Sequence, residues 1–364
     1  MNQDLGLRVL GQIMGWDDDR ARREFAWLRL MSRLKYDAYQ DFVAGMRFVE
    51  SLASWMQQFS PDEREIAYAF LRRTLVYVGT AEMSHLVDLA YPEEVRRRLV
   101  RAVAARSGIP GYRVLATPEA QMLYSRLLRQ TLFMGLSDGA RIDVFRRANE
   151  GIITNEQVVE GVQVDDEKWE DLLHNLQRDL GPAAKFAFVY LLDDFVGSGK
   201  TLLRNDGGSW KGKLDRFWKN VKGHVTTHFE GDWTLCVHHY LASRQASEGL
   251  IAREVETRKA RQADWFPRVE FSFGMVLPPD LPVDPDRDAT LMTLIDKYYD
   301  PAIETTHTGV GGGDVKLGFG ACALPLVLEH NTPNNSIALL WAETAGANGK
   351  HAMRPLFRRR QRHI

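Results

Sequence analysis

The chain has 364 residues, 45% of them apolar and 26% charged, and its 47 Lys plus Arg nearly cancel 48 Asp plus Glu. Such values suit one elaborated domain or two ordinary ones with a sizeable core, and they exclude wholesale disorder. A balanced charge gives no global field for nucleic acid or membrane, and no apolar run approaches bilayer length. Cys236 and Cys322 both sit in apolar stretches and read as reduced core thiols rather than a disulfide framework. The start Met1-Asn2-Gln3-Asp4 lacks the pattern of an export signal, so a cytoplasmic protein is expected.

The first third reads as helical. Asp17 is placed to cap a helix carrying Ala21, Phe25, Leu28, Met31 and Leu34, and residues 37–58 continue with Phe42, Met46, Val49, Leu52 and Trp55 at helical spacing. Ser60-Pro61-Asp62-Glu63 is a helix start, with Ser as cap, Pro first and Glu third. Pro92 opens another helix, whose Arg96, Arg97, Arg98 and Arg101 read as a solvated basic face or subunit contact. A further helix follows Thr117-Pro118-Glu119. The Ile-Pro-Gly turn within 108–113 marks the boundary between a helical, regulatory or partner-binding domain (1–116) and a second domain (117–364).

From about residue 130 strands and helices alternate. A strand over 131–134 runs into the turn Gly135-Leu136-Ser137-Asp138-Gly139. Trp169, Leu172, Leu173, Leu176 and Leu180 form a helical stripe halted by Gly181-Pro182. The strand 186–192 is almost wholly apolar, as when both faces are covered. A helix around 214–221, a strand over 233–241, a charged helix over 243–261 and the alternating strand Val269, Phe271, Phe273, Met275 follow. A helix over 289–299 precedes a last strand over 321–328. This order predicts an α/β fold, a mostly parallel sheet flanked by helices, with ligands at the carboxyl ends of its strands.

The strand 186–192 ends on Asp193-Asp194, followed by Phe195-Val196-Gly197-Ser198-Gly199-Lys200-Thr201. Two adjacent carboxylates accept from neighbouring hydroxyls, while a small-residue turn and a following helix start donate to a phosphate. That pairing suits a phosphorylated sugar. An ATP-binding P-loop is a poorer match, because it needs Gly five residues before the Gly-Lys pair and here that position is Asp194.

Read from Phe188 to Thr201, the segment resembles the ribose-phosphate loop of type I phosphoribosyltransferases. The resemblance implies that Asp193 and Asp194 hold the ribose 2′- and 3′-hydroxyls of phosphoribosyl pyrophosphate. It implies equally that Gly197, Ser198, Gly199, Lys200 and Thr201 cradle the 5′-phosphate and that Mg²⁺ arrives with the substrate. In that family a second loop binds pyrophosphate, and Ser137, Asp138, Gly139, Ala140 and Arg141 lie in the corresponding place. Gly139 permits close backbone approach and Arg141 can fork onto a phosphate, with Arg146 and Arg147 one turn further on. Taken alone, the same five residues also fit a surface turn with a capping Asp.

Near the end, Glu329-His330-Asn331-Thr332-Pro333-Asn334-Asn335-Ser336 is a polar loop, with Trp341 beyond it as a ring able to stack. His330, Asn331, Asn334, Asn335 and Trp341 are the substrate-side candidates. Residues 309–320 carry six glycines and suit a flap or a plain connection. Other signals fit a structural role. His224 and His228 lack an accompanying Cys pair, so no zinc site is expected. His238 and His239 lie mid-strand, one expected inward and one outward, and Arg358-Arg359-Arg360-Gln361-Arg362 is a short basic tail.

Ser137 to Arg141, Leu192 to Asp194, and Asn331 to Asn335 through Trp341 to Pro355-Leu356-Phe357 are similar to phosphoribosyltransferase-like proteins of prokaryotic conflict (anti-phage) systems. That likeness implies an effector or sensor in bacterial defence that works with protein partners. Two functions stay open at this point. One is a phosphoribosyltransferase; the other is a non-catalytic nucleotide sensor relaying occupancy to a partner. Nucleic acid is not expected as the main ligand.

Overall fold

The computed structural model describes residues 3–347 and 349–359, so Arg360, Gln361 and Arg362 of the basic tail lie outside the described residues. Its strands are β1 (Val76–Val78), β2 (Thr131–Gly135), β3 (Val158–Val159), β4 (Phe186–Val196), β5 (Arg204–Asp206), β6 (Ser209–Lys211), β7 (Phe229–Ala242), β8 (Arg268–Val276) and β9 (Leu326–Leu328). The central sheet has the order β3-β2-β4-β7-β8, and every neighbouring pair is parallel.

The chain groups into two compact units, residues 83–277 and residues 1–82 with 278–364. In the first, β4 is buried from Phe186 through Asp193 because helices cover both faces of the sheet. Trp169, Leu172 and Leu176 of the helix Asp166–Leu180, and Leu214, Phe217 and Val221 of the helix Lys213–Val221, join its core. Each such side chain contributes roughly 1.5–3 kcal/mol through burial. Gly181 ends the first of these helices in a positive-φ conformation (+93°), the stop signal read from the sequence.

The helices between residues 83 and 129 belong with this sheet, whereas the sequence reading set its boundary at 116/117. Ion pairs explain the grouping. Arg98 binds Glu94 at 2.8 Å and also Glu270 of β8, and Arg106 reaches Glu230 of β7 at 2.9 Å. Arg98 is therefore buried, and the solvated basic face expected for it is corrected. Pro92 does not open a helix either; it lies inside a π-helical turn, Ala90–Val95, that leads straight into the helix Arg96–Ser107.

The second unit joins the N-terminal helices to the C-terminal segment. β1 pairs in parallel with β9, Trp55 Nε1 donates to Leu339 O (2.9 Å), and Ser51 Oγ donates to Leu356 O (2.6 Å). Phe357 stacks on Phe42 and Phe48. The last strand is thus shorter than expected and pairs outside the five-stranded sheet, since a 3₁₀ turn occupies Phe319–Ala321. The helix expected over 37–58 is also interrupted. Asp37 Oδ1 accepts from Phe48 N (3.1 Å), and the helix begins only there, at Phe48–Gln57. Among the described residues no helix is long and apolar enough to cross a membrane.

Candidate functional site

Parallel register sets the tips of β2 and β4 side by side. Gly135 lies opposite Leu192, and Asp193 lies opposite His239 of β7. The chain leaving β2 then runs along the acidic pair. Leu136 N donates to Leu192 O (2.8 Å), and Ser137 Oγ donates to Asp193 Oδ1. A methyl group on Gly139 would sit 2.5 Å from Asp194 Oδ2, so any side chain there would displace that carboxylate. Two segments more than fifty residues apart, each singled out from the sequence, are in direct contact.

Arg141 adopts a left-handed backbone (φ 48°, ψ 37°) immediately before the helix Ile142–Ala148. A non-glycine residue held there costs on the order of 1 kcal/mol or more. Its guanidinium is half-buried; burial works against the charge, while Asp194 and Asp143 favour it.

The two carboxylates have different surroundings. Asp193 is 3% exposed, and Lys213 Nζ lies 3.0 Å from its Oδ2. Burial lifts its carboxyl to about 6, with Lys213 opposing that rise and Asp194 adding to it. Asp194 is only partly buried, and its Oδ1 accepts from Phe195 N (2.7 Å). His238 and His239 are both buried, in line with the core role expected of them, because they alternate between two covered faces of β7. Burial pushes His238 down to about 4 and His239 to about 3, so both rings are neutral at pH 7.

Beyond β4 the chain bends. Gly197 O accepts from Ser243 Oγ, and Ser198 O accepts from Arg253 Nη2 (2.8 Å). Gly199 has φ +69°, and a side chain at that position would meet Leu250 and Arg253. Among the described residues, no protein group accepts from the N–H groups of Ser198, Gly199 or Thr201. Gly197, Ser198 and Gly199 are buried, Lys200 is half-buried and Thr201 is exposed.

No helix starts at this bend, contrary to the sequence expectation. The strands β5 and β6 pair as an antiparallel hairpin, and the next helix begins at Lys213. Lys213, which supplies the ammonium at Asp193, was missed by sequence reasoning. A signal existed: a cation in the first turn of a helix is disfavoured by the helix dipole and so invites another explanation.

The remaining candidates are arranged otherwise. Arg146 and Arg147 line a cavity of about 460 Å³ with residues 150–155, and none of Ser137–Arg141 or Asp193–Thr201 lines it. Arg146 donates to Asn155 (3.0 Å) and Arg147 to Asp143 (2.8 Å).

His330, Asn331, Asn334, Asn335 and Trp341 belong to the other compact unit. Asn335 is buried and donates to Phe319 O (2.8 Å) and Cys322 Sγ (3.3 Å), and Asn334 O accepts from Phe319 N (2.6 Å). Asn331 N closes a turn on Leu328 O (3.1 Å), and His330 Nδ1 is 3.5 Å from the buried Glu329 carboxylate. Trp341 is buried, donates to Ser336 O (2.9 Å) and lies under Arg359. These residues tie the 309–320 segment and the C-terminal loop together.

The family model described as PRTase-CE matches residues 52–359, most of the chain and all of the acidic-pair site. No curated protein and no solved structure matches the chain.

Proposed function

The chain belongs to the PRTase-CE family of phosphoribosyltransferase-like proteins, and from that premise we propose that the tips of β2 and β4 bind a phosphorylated pentose, phosphoribosyl pyrophosphate above all. One observation carries the reading: residues 137–141, assigned to pyrophosphate by their place relative to the ribose loop, touch residues 193–194. Asp194, the more exposed acid, accepts from the ribose hydroxyls, and Asp193 with Lys213 fixes its position. The N–H groups of Ser198, Gly199 and Thr201 supply donors for the 5′-phosphate. Arg141, its charge favoured by Asp194, faces the pyrophosphate as charge develops on it. The carboxylates of Asp138 and Asp194 are hard oxygen donors of the kind that accompany a Mg²⁺-loaded substrate.

A second reading has its own support. Asp193 is buried and already paired, and Arg253 and Leu250 close over the bend, as suits a pocket that senses a nucleotide without turning it over. Resemblance to conflict-system proteins supports a cytoplasmic role in anti-phage defence, with the unit containing residues 1–82 and 278–364 as the surface for a protein partner.

Calorimetry of phosphoribosyl pyrophosphate and common nucleotides, with and without Mg²⁺, tests both readings on the wild type and on the double variant Asp193→Asn, Asp194→Asn. Mg²⁺-dependent binding lost in the variant, with pyrophosphate released in the presence of an acceptor, supports the enzyme. Nucleotide binding lost in the variant, with no pyrophosphate release for any acceptor, leaves the sensor. Binding of either ligand unaltered by the variant overturns the site itself.

A further inference from the structure

His224 and His228 stand one helical turn apart, His228 closing the short helix Val225–His228 directly before β7. Facing them is the helix Asp166–Leu180, which presents Asp166 and Glu170, again one turn apart. Ligand atoms of Glu170, His224 and His228 all lie within 4.8 Å of one another. His224 Nε2 is 3.0 Å from Asp166 Oδ1, and His228 Nε2 is 3.6 Å from Glu170 Oε1.

Thr227 Oγ1 donates to His224 O (3.2 Å) and lies 2.8 Å from His228 Nδ1, where it can accept from a protonated Nδ1. In that tautomer Nε2 presents a lone pair. The side chain is 1% exposed, and this Nε2 is buried with no hydrogen-bond partner. A lone pair facing a carboxylate 3.6 Å away is repulsive, and a proton between them would span too long a hydrogen bond. A cation bonded to both removes the repulsion. At metal–ligand distances of about 2.0–2.2 Å, two ligands of a tetrahedral ion stand roughly 3.3–3.5 Å apart, close to the separation found.

We propose that Glu170, His224 and His228 bind a divalent transition-metal ion of the zinc class, with Asp166 as the outer carboxylate that orients His224 and Thr227 as the hydroxyl that sets the His228 tautomer. Trp169 is fully buried beneath the cluster, its ring 5.7 Å from His224 and 6.3 Å from His228, and shields one side from water. The expectation against zinc considered cysteine partners only; the missing ligand is the Glu170 carboxylate, from a helix more than fifty residues earlier.

The position assigns the role. His228 precedes Phe229, which pairs with Phe186 at the beginning of β4, seven residues before Asp193. At about 3.3 Å per residue, the cluster lies about 23 Å from the acidic pair, at the opposite ends of the strands. It clamps one covering helix to the start of β7 and leaves the phosphoribosyl site untouched.

The test uses the full chain, zinc chloride, and metal analysis after dialysis. About one zinc per chain is expected, with a melting temperature that rises with zinc and falls with chelator. His224→Ala and Glu170→Gln should each weaken zinc binding at least about tenfold, and Asp166→Asn and Thr227→Val roughly 10–100-fold or less. Because Glu170 and Asp166 are exposed, their variants keep the fold, which circular dichroism verifies. The neighbouring exposed Glu167→Gln should bind zinc as the wild type does. Cobalt in place of zinc should give tetrahedral visible absorption that vanishes in Glu170→Gln. Folded protein that takes up no zinc, or zinc uptake equal in wild type, His224→Ala and Glu170→Gln, overturns the proposal.

Discussion

The loop at the tips of β2 and β4 and the polar segment 329–341 draw on much the same residues, Asp or Asn, Ser or Thr, and turn formers, yet they are built differently. In the first, groups from chain segments more than fifty residues apart converge on two carboxylates, one buried and one partly exposed. The arrangement carries costs, a left-handed Arg141 and an acid lifted to about 6. In the second, donors and acceptors answer one another within the same unit: Asn335 with Phe319 and Cys322, Trp341 with Ser336. Polar composition alone does not separate a site from a stapled loop. An acidic pair at adjoining strand tips, one acid buried and the other left partly exposed, does.

The sharpest break in this comparison comes from Asp194→Asn. Removing a charged acceptor should lower phosphoribosyl pyrophosphate affinity about 100-fold, about 3 kcal/mol, with little change in melting temperature. Calorimetry beside a thermal melt reads both quantities.

Acid should act next most strongly. His238 and His239 are held below the unfolded value of 6.5, so the stability they contribute is present above pH 6.5 and lost as pH falls toward 4. Asp193 works in the opposite sense: its value is raised from 3.8 to about 6, so its contribution is present below 3.8 and lost as pH rises through 6. The two histidines outweigh the one acid, and urea midpoints should show a loss of about 2–3 kcal/mol between pH 7 and 5. Asp193→Asn removes the opposing trend and should steepen that loss.

For the polar segment, Asn335→Ala should cost about 1–2 kcal/mol of stability in urea denaturation, because its buried bond to Phe319 O is lost, while ligand affinity stays as in the wild type. The smallest effect belongs to Arg146→Ala. Its cavity is lined by neither site segment, and affinity should change by about twofold at most.

Strands β2, β4, β7 and β8 were legible because each is an apolar or alternating run between turn signals, and β4 announced its own burial by having no polar face. The acidic pair and Gly139 were legible as local patterns. Lys213 was not, because it reaches Asp193 only after the hairpin has folded back. Arg98 was misread as solvent-facing since its partner Glu270 lies 172 residues away. The 37–58 helix failed for a subtler reason: apolar spacing continued through residues 39–47, but Asp37 capped the later turn instead. The metal-type cluster escaped because periodicity reports which residues share a face of one helix, not which two helices meet.

The hairpin Arg204–Lys211 lengthens the path between the bend and the helix that follows it. A helix abutting the bend would have offered a fixed dipole, welded to the backbone. Here the positive pole at Asp193 is an ammonium on a four-carbon stem, one quarter exposed, anchored at a helix start. The positive charge beside the acidic pair therefore rests on one rotatable side chain, where a helix dipole would have been part of the backbone itself.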